Sequence, residues 1–302
     1  MSFPSSPRSW SSVLAALLKS PDKANTRAEI VSLHRREMAG AFANSFFMSS
    51  WRSRNSLTWI NRFSIFTMKV YTRIMNIAIW GLGVSGLATV KYLAKTKEST
   101  IYLINQGDPE SWHDWSSINK LIPKDRCFNQ DQAFKLKDKI DTIILSPGID
   151  PRIEALQDFK NIEKICDVEL VFKNCNIPII AVTGTNGKTT TCTIIAEALE
   201  RYGKRVFLGG NIGIPACEYF LSEKKYDVAV LELSSFQIQL LKDFHPQVAI
   251  ILNIDKSHME RYDHLDDYKN AKLLLAKNLK EGDYFIAPSD FHYVGKKARQ
   301  IV

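Results

Sequence analysis

The chain has 302 residues, with 40 Lys and Arg against 32 Asp and Glu for a formal net charge of +8, and it is 45% hydrophobic and 24% charged. That composition excludes a wholly disordered, collagen-like or low-complexity chain and leaves room for about two domains, each with its own core. No apolar run reaches the ~18 residues that a membrane-spanning helix needs, so no membrane span is expected.

The positive charge is uneven. Residues 1–75 hold 11 basic and 3 acidic residues, whereas the other 227 hold 29 of each. A basic chain ordinarily suggests nucleic acid as partner, but here the body of the protein is balanced, and no nucleic-acid partner is expected. Five cysteines (Cys127, Cys166, Cys175, Cys192, Cys217) stand apart without a C-x-x-C pair. An odd number of isolated thiols and no clear secretory signal fit a reducing cytoplasm.

Residues 1–74 are rich in Ser and Arg, poor in acid and without sustained periodicity. An organellar transit peptide, a basic arm and non-native sequence from upstream of the true start are the three readings. The last is favoured, because Met75 opens the first convincing strand and nothing before it is patterned to pack.

Asn76–Trp80 reads as a buried parallel strand. It runs into Gly81-Leu-Gly-Val-Ser-Gly86, then an amphipathic helix over Val84–Lys95 and a second strand over Thr100–Asn105. This is βαβ with G-x-G-x-x-G in the first turn, where glycines permit a tight turn and the helix N-terminus favours a phosphate. A dinucleotide site calls for an acidic residue at the end of the second strand; Asn105 stands there, which weakens a nicotinamide cofactor and leaves another nucleotide diphosphate or a structural turn open. Ile140–Leu145 is a further strand, ending in Ser146-Pro147-Gly148. Locally this is a turn, yet it lies at a strand's carboxyl end, where open α/β sheets bind ligands.

Ile177–Thr183 is a strand, followed by Gly184-Thr185-Asn186-Gly187-Lys188-Thr189-Thr190 and a helix to about Tyr202. Strand, glycine loop and helix form the context of a phosphate-binding loop, with Lys188 on ATP phosphates and the Thr189 hydroxyl on Mg²⁺. Val182 occupies the first glycine position of the full motif. Strands over Arg205–Leu208, Asp227–Leu231 and Val248–Leu252 each end at polar residues, among them Asn211, Glu232, Ser234 and His258. Alone, Glu232 is an exposed carboxylate and His258 a surface histidine. Beside a phosphate loop they become magnesium ligands, although histidine is an unusual ligand for so hard a cation.

Gly81–Gly86, Ser146–Ile149, Gly184–Thr190, Gly210–Gly213, Leu231-Glu-Leu-Ser-Ser-Phe-Gln237 and His258-Met-Glu-Arg-Tyr262 stand in the order found in the Mur ligases, and the Leu231–Gln237 run resembles the D-glutamate-adding branch. The resemblance covers about Met75 to the C-terminus. It implies a Rossmann-like domain over 75–166, a P-loop ATPase domain over 167–302 and a third domain that this chain lacks. It also implies a cytoplasmic, monomeric ligase of peptidoglycan synthesis with ATP, two Mg²⁺ ions, UDP-N-acetylmuramoyl-L-alanine and D-glutamate.

By position, the resemblance assigns Lys188, His258 and Lys272 to catalysis, and Thr189, Glu232, His258 and Lys272 (as a carbamate) to metal. Gly184–Thr190 are assigned to ATP. Gly83, Val84, Ser85, Gly86, Asn105, Ser146, Pro147, Gly148, Asn211 and Ser234 are assigned to the UDP-sugar. Asn105 stands where this branch usually carries an aspartate for uracil. The local sequence around Lys272 suggests only an exposed helix lysine. With most D-glutamate contacts expected in the third domain, a non-catalytic nucleotide-binding fragment is the alternative, and a nicotinamide-dependent oxidoreductase is the third.

Overall fold

The computed structural model describes residues 75–211, 213–257, 261–289, 291 and 298–301. The expectation for 1–74 and the position of His258 lie outside the described residues. Residues Arg73–Val302 form one compact unit, built on two separate sheets. The first contains β1 (Met75–Trp80), β2 (Ser99–Asn105), β3 (Cys127–Asn129), β4 (Thr142–Leu145) and β5 (Glu163–Ile165), in the order β3-β2-β1-β4-β5. The second contains β6 (Ile179–Thr183), β7 (Val206–Gly210), β8 (Val228–Glu232), β9 (Val248–Ile251), β10 (Tyr284–Ile286) and β11 (Arg299–Ile301), in the order β11-β10-β9-β6-β8-β7. Every strand pair is parallel, as the α/β reading requires.

The central strands are apolar throughout because parallel sheets are covered on both faces. In β1 the period of two sends Ile77 and Ile79 into one apolar cluster and Ala78 and Trp80 into another, and Trp80 packs edge-on against Phe159 at 5.7 Å. The larger cluster also takes Ile179, Ala181, Ala229, Leu231 and Ala249 from the second sheet. One apolar core therefore runs through both sheets. The strands absent from the sequence reading, β3, β5 and β11, are three residues each and all lie on sheet edges; so short a run carries no period.

Helix α1 (Val84–Thr96) follows β1, and α2 (Trp115–Leu121) and α3 (Asp167–Asn174) follow further on. α4 (Lys188–Arg201) follows β6. Short helices α5 (Glu218–Leu221) and α6 (Ser235–Gln239) precede α7 (Leu265–Leu273). α1 bridges the two sheets: Tyr92 stacks on Phe220 of α5 at 4.7 Å, and the Thr89 hydroxyl lies 3.5 Å from the Cys217 thiol. Within α3, the buried Glu169 carboxylate accepts the backbone N–H groups of Lys242, Asp243 and Phe244. Lys242 also pairs with Glu163 of β5.

Each sheet reverses its strand order around one central strand, β1 in the first and β6 in the second. Such switch points open a crevice beyond the strands' carboxyl ends, and both glycine loops begin there. The first needs glycine for space: a Cβ on Gly86 would stand 2.0 Å from the Gly81 carbonyl oxygen, whereas one on Gly83 would meet nothing within 4 Å. Gly86→Ala is expected to destabilise the chain by ~2–3 kcal/mol, as overpacking does, and Gly83→Ala by less than ~0.5 kcal/mol, as open-surface changes do. Urea denaturation of the two variants checks the contrast.

Candidate active site

The first crevice is a cavity of about 380 Å³. Gly83, Val84, Ser85, Asn105, Ser146, Pro147, Gly148 and Asn211 all line it, which brings together eight of the ten residues expected to hold a UDP-sugar. Gly86 is buried in α1 behind the loop, and Ser234 lies in the adjoining cavity. Two side chains fix the loop. The Ser146 hydroxyl donates to the Gly81 carbonyl at 2.6 Å, and the Asn105 side-chain oxygen accepts the Leu82 N–H at 3.3 Å. Asn105 therefore does local work that its sequence position did not reveal, holding the turn that shapes the cavity.

The second crevice is a cavity of about 300 Å³ containing Lys188, Ser234, Ser235, Phe236, Tyr268 and Lys272. Pro147, Gly148 and Asn211 line both cavities, so the two adjoin.

The phosphate-type loop sits between β6 and α4, with Gly187 in the left-handed region (φ 78°) at the helix start. Asn253, just past β9, accepts the Thr185 and Asn186 N–H groups through its side-chain oxygen and donates to the Asn186 carbonyl. The Asp255 carboxylate accepts from the Asn186 amide at 3.2 Å, and the Thr185 hydroxyl accepts the Asp255 N–H at 3.0 Å. Lys188 folds back on the loop, donating to the Gly184 carbonyl at 2.9 Å and the Thr185 carbonyl at 2.8 Å. Thr190 is exposed on α4.

Glu232 ends β8 and is 3% exposed. Its carboxylate accepts from the Thr189 hydroxyl at 2.8 Å and from the Asn211 amide at 3.1 Å. The Asn211 N–H donates to the Glu232 carbonyl at 2.8 Å. This close approach requires Gly210, where φ is 104° and a Cβ would lie 2.3 Å from that carbonyl oxygen. Ser234 caps α6 in a reciprocal arrangement: its hydroxyl accepts the Gln237 N–H, and its own N–H donates to the Gln237 side chain.

Lys272 is the largest departure from its local sequence. It is 2% exposed, donating to the Thr183 hydroxyl at 3.2 Å and the Gly184 carbonyl at 3.0 Å, with its ammonium 4.6 Å from the Tyr268 ring centre. Burial, and then the Lys188 ammonium, pull its pKa down to about 7 against the opposing influence of Glu232.

The Thr189 hydroxyl and the Glu232 carboxylate bring hard oxygen atoms to one point, the donor type that magnesium takes. Among the described residues no three His, Cys, Asp or Glu side chains gather as a metal site. Asn253, Asp255, Phe236, Tyr268 and Arg261 are site or near-site residues that the sequence reading did not assign. The polar run after the β9 strand signalled Asn253 and Asp255, but their roles come only from the loop they cross.

Residues 182–301 match the family model of the Mur ligase middle domain. A UDP-N-acetylmuramoylalanine–D-glutamate ligase of Hydrogenovibrio crunogenus is 37% identical over 71% of this chain and 47% of its own length. A ligase of the same name from Caldicellulosiruptor bescii is 33% identical over 71% of this chain and 47% of its own. Another from Alkaliphilus metalliredigens is 40% identical over 50% of this chain and 34% of its own. Residues 182–301 therefore form a Mur ligase middle domain. The chain spans about half the length of these curated relatives.

The Lys272 environment generates a pH dependence. A folded-state pKa of about 7 against the ordinary 10.5 means that the unfolded chain binds more protons between those values, so stability of the ligand-free chain rises with pH across that window. Lys272→Met is expected to remove this rise. Urea midpoints of both proteins at about pH 6.5 and about pH 9 provide the comparison.

Proposed function

We propose that this chain carries the UDP-sugar and ATP sites of a cytoplasmic ligase that joins D-glutamate to UDP-N-acetylmuramoyl-L-alanine in peptidoglycan synthesis. The observation that carries this reading is the adjoining of two cavities across Pro147, Gly148 and Asn211. A nucleotide diphosphate seated at the first glycine loop can thus extend its acyl end towards the second, where ATP phosphates would lie. The names of the similar proteins support the D-glutamate branch, as does the Leu231–Gln237 run. We further propose that the two sheets are the cores of two domains that meet at residues 166 and 167.

The chemistry is a carboxylate activation. The L-alanyl carboxylate attacks the terminal phosphorus of ATP, ADP leaves, and an acyl phosphate forms. The amine of D-glutamate then attacks the acyl carbon, phosphate leaves, and the amine gives up a proton. The protein's share is positioning and charge neutralisation. Lys188 would exchange the Gly184 and Thr185 carbonyls for ATP phosphates, and α4 presents free N–H groups at its start. Thr189 and Glu232 would hold Mg²⁺, which when bound neutralises phosphate charge. His258 is assigned to a second magnesium by the family resemblance alone.

Lys272, as an ammonium, would repel a metal. Burial keeps a large share of it as the free amine near neutral pH, the form that combines with CO₂ to give an anionic carbamate and a proton. Ser234 and Asn211 would contact the muramoyl part, and Gly83, Val84 and Ser85 the diphosphate. The resemblance assigns most D-glutamate contacts to a third domain.

Two measurements test the reading. Calorimetric titration of the chain with UDP-N-acetylmuramoyl-L-alanine should show saturable binding, and no binding would overturn it. Lys188→Ala should weaken ATP binding by ~10–100-fold, the worth of a charge-assisted hydrogen bond. Lys256→Ala, at an exposed lysine near the loop, should change it by less than ~3-fold. Equal losses in the two variants would remove Lys188 from the phosphate site.

A further inference from the structure

Arg261 lies just before α7, its side chain only 16% exposed. It touches the ligand loops of both sheets at once. Towards the first sheet, its Nη2 donates to the Gly148 carbonyl at 3.2 Å, and its Nε lies 3.5 Å from the Asp150 carboxylate. Towards the second, its guanidinium carbon sits 4.0 Å from the centre of the Phe236 ring. Phe236 is stacked in turn on Tyr262, with ring planes 8° apart. Gly148 lines both cavities, and Phe236 lines the second.

We propose that Arg261 is a positioning residue that clasps the Ser146–Asp150 loop to the Phe236 turn, and so sets where the acyl end of a UDP-sugar lies relative to the phosphate loop. This rests on the functional reading given above.

Three features carry it. A planar guanidinium can donate along its edge and stack on its face at the same time, which an ammonium cannot. The loop it grips is otherwise held near its start, by the Ser146 hydroxyl on Gly81, while the Gly148 carbonyl and the Asp150 carboxylate both turn towards Arg261. Asp150 is itself steadied by Arg152, whose Nη2 donates to the carboxylate at 3.0 Å, so the clasp closes on a fixed anion. Finally, Arg261 Nη1 is buried with no hydrogen-bond partner among the described residues. The group is held instead through Nη2, Nε and its ring-facing surface, which fixes its orientation.

Arg261→Ala and Arg261→Lys, with the wild-type chain, provide the test, read by amide hydrogen exchange and by separate titrations with UDP-N-acetylmuramoyl-L-alanine and ATP. Arg261→Ala is expected to speed exchange in 148–150 while leaving β6 protected. It should weaken the UDP-sugar by ~10-fold or more and ATP by less than ~2-fold, since one charge-assisted contact is lost on one side only. Arg261→Lys should recover thermal stability but not UDP-sugar affinity. Unchanged loop exchange in Arg261→Ala, or equal weakening of both ligands together with lost stability, would overturn the clasp. Full recovery of UDP-sugar binding by lysine would also overturn it. A wild-type chain that binds no UDP-sugar would defeat the functional reading instead, and loop exchange would still decide the clasp.

Discussion

A carboxylate taken out of water must be met by hydrogen-bond donors, and Glu232 is the point where that requirement organises the second sheet. Its two oxygens accept from Thr189, at the start of the helix after β6, and from Asn211, at the end of β7. Those donors arrive only because β7 and β6 flank β8 in the sheet and because Gly210 has no side chain to hold the β7 end away. One buried acid thus ties the phosphate-type loop to the turn that faces the first sheet. The same arrangement fixes the Thr189 hydroxyl and the Asn211 amide on one carboxylate before any ligand arrives.

The two sheets work as a pair because their carboxyl ends share walls. Pro147 and Gly148 come from the first sheet and Asn211 from the second, and all three border both cavities. The seam behind them is apolar and continuous, with the Glu169 carboxylate fastening α3 to the chain after α6 through three backbone donors. Asp167, at the start of the same helix, is buried, and burial raises its pKa above the usual carboxylate range. Its carboxylate accepts from the Gln237 amide at 3.4 Å, and Gln237 in turn completes the Ser234 cap. The polar contacts across the seam therefore lead towards the cavity from several sides.

Much of this was legible in the sequence. Ile77–Trp80, Ile179–Val182 and Val228–Leu231 are continuous apolar runs of the length a buried parallel strand requires, and each leads into a polar or glycine-rich turn. The glycine loops, the strand-to-helix turns and the polar residues at strand ends are local features, encoded within a few residues of themselves. Fold class and the positions of the two glycine-rich turns follow from these alone. The three-residue strands β3, β5 and β11 do not, because pairing with a neighbour defines them and their own composition does not.

Tertiary structure decided what the polar residues do. Asn105 reads as a missing acid at a ribose site, yet its amide oxygen holds the Leu82 N–H. Lys272 reads as a solvent-facing helix lysine, yet α7 packs it against Thr183 and Gly184 until only 2% is exposed. Arg261 carries no motif role beyond its run, yet it spans two loops more than 80 residues apart in the chain. Burial, shifted proton affinity and contacts between distant loops depend on which atoms are brought near, and the neighbours that displace water from Lys272 or turn towards Arg261 come from separate strands and helices. The sequence by itself determined where the glycine turns fall; only the packing of the two sheets decided which side chains would share the space beyond them and in what charge state.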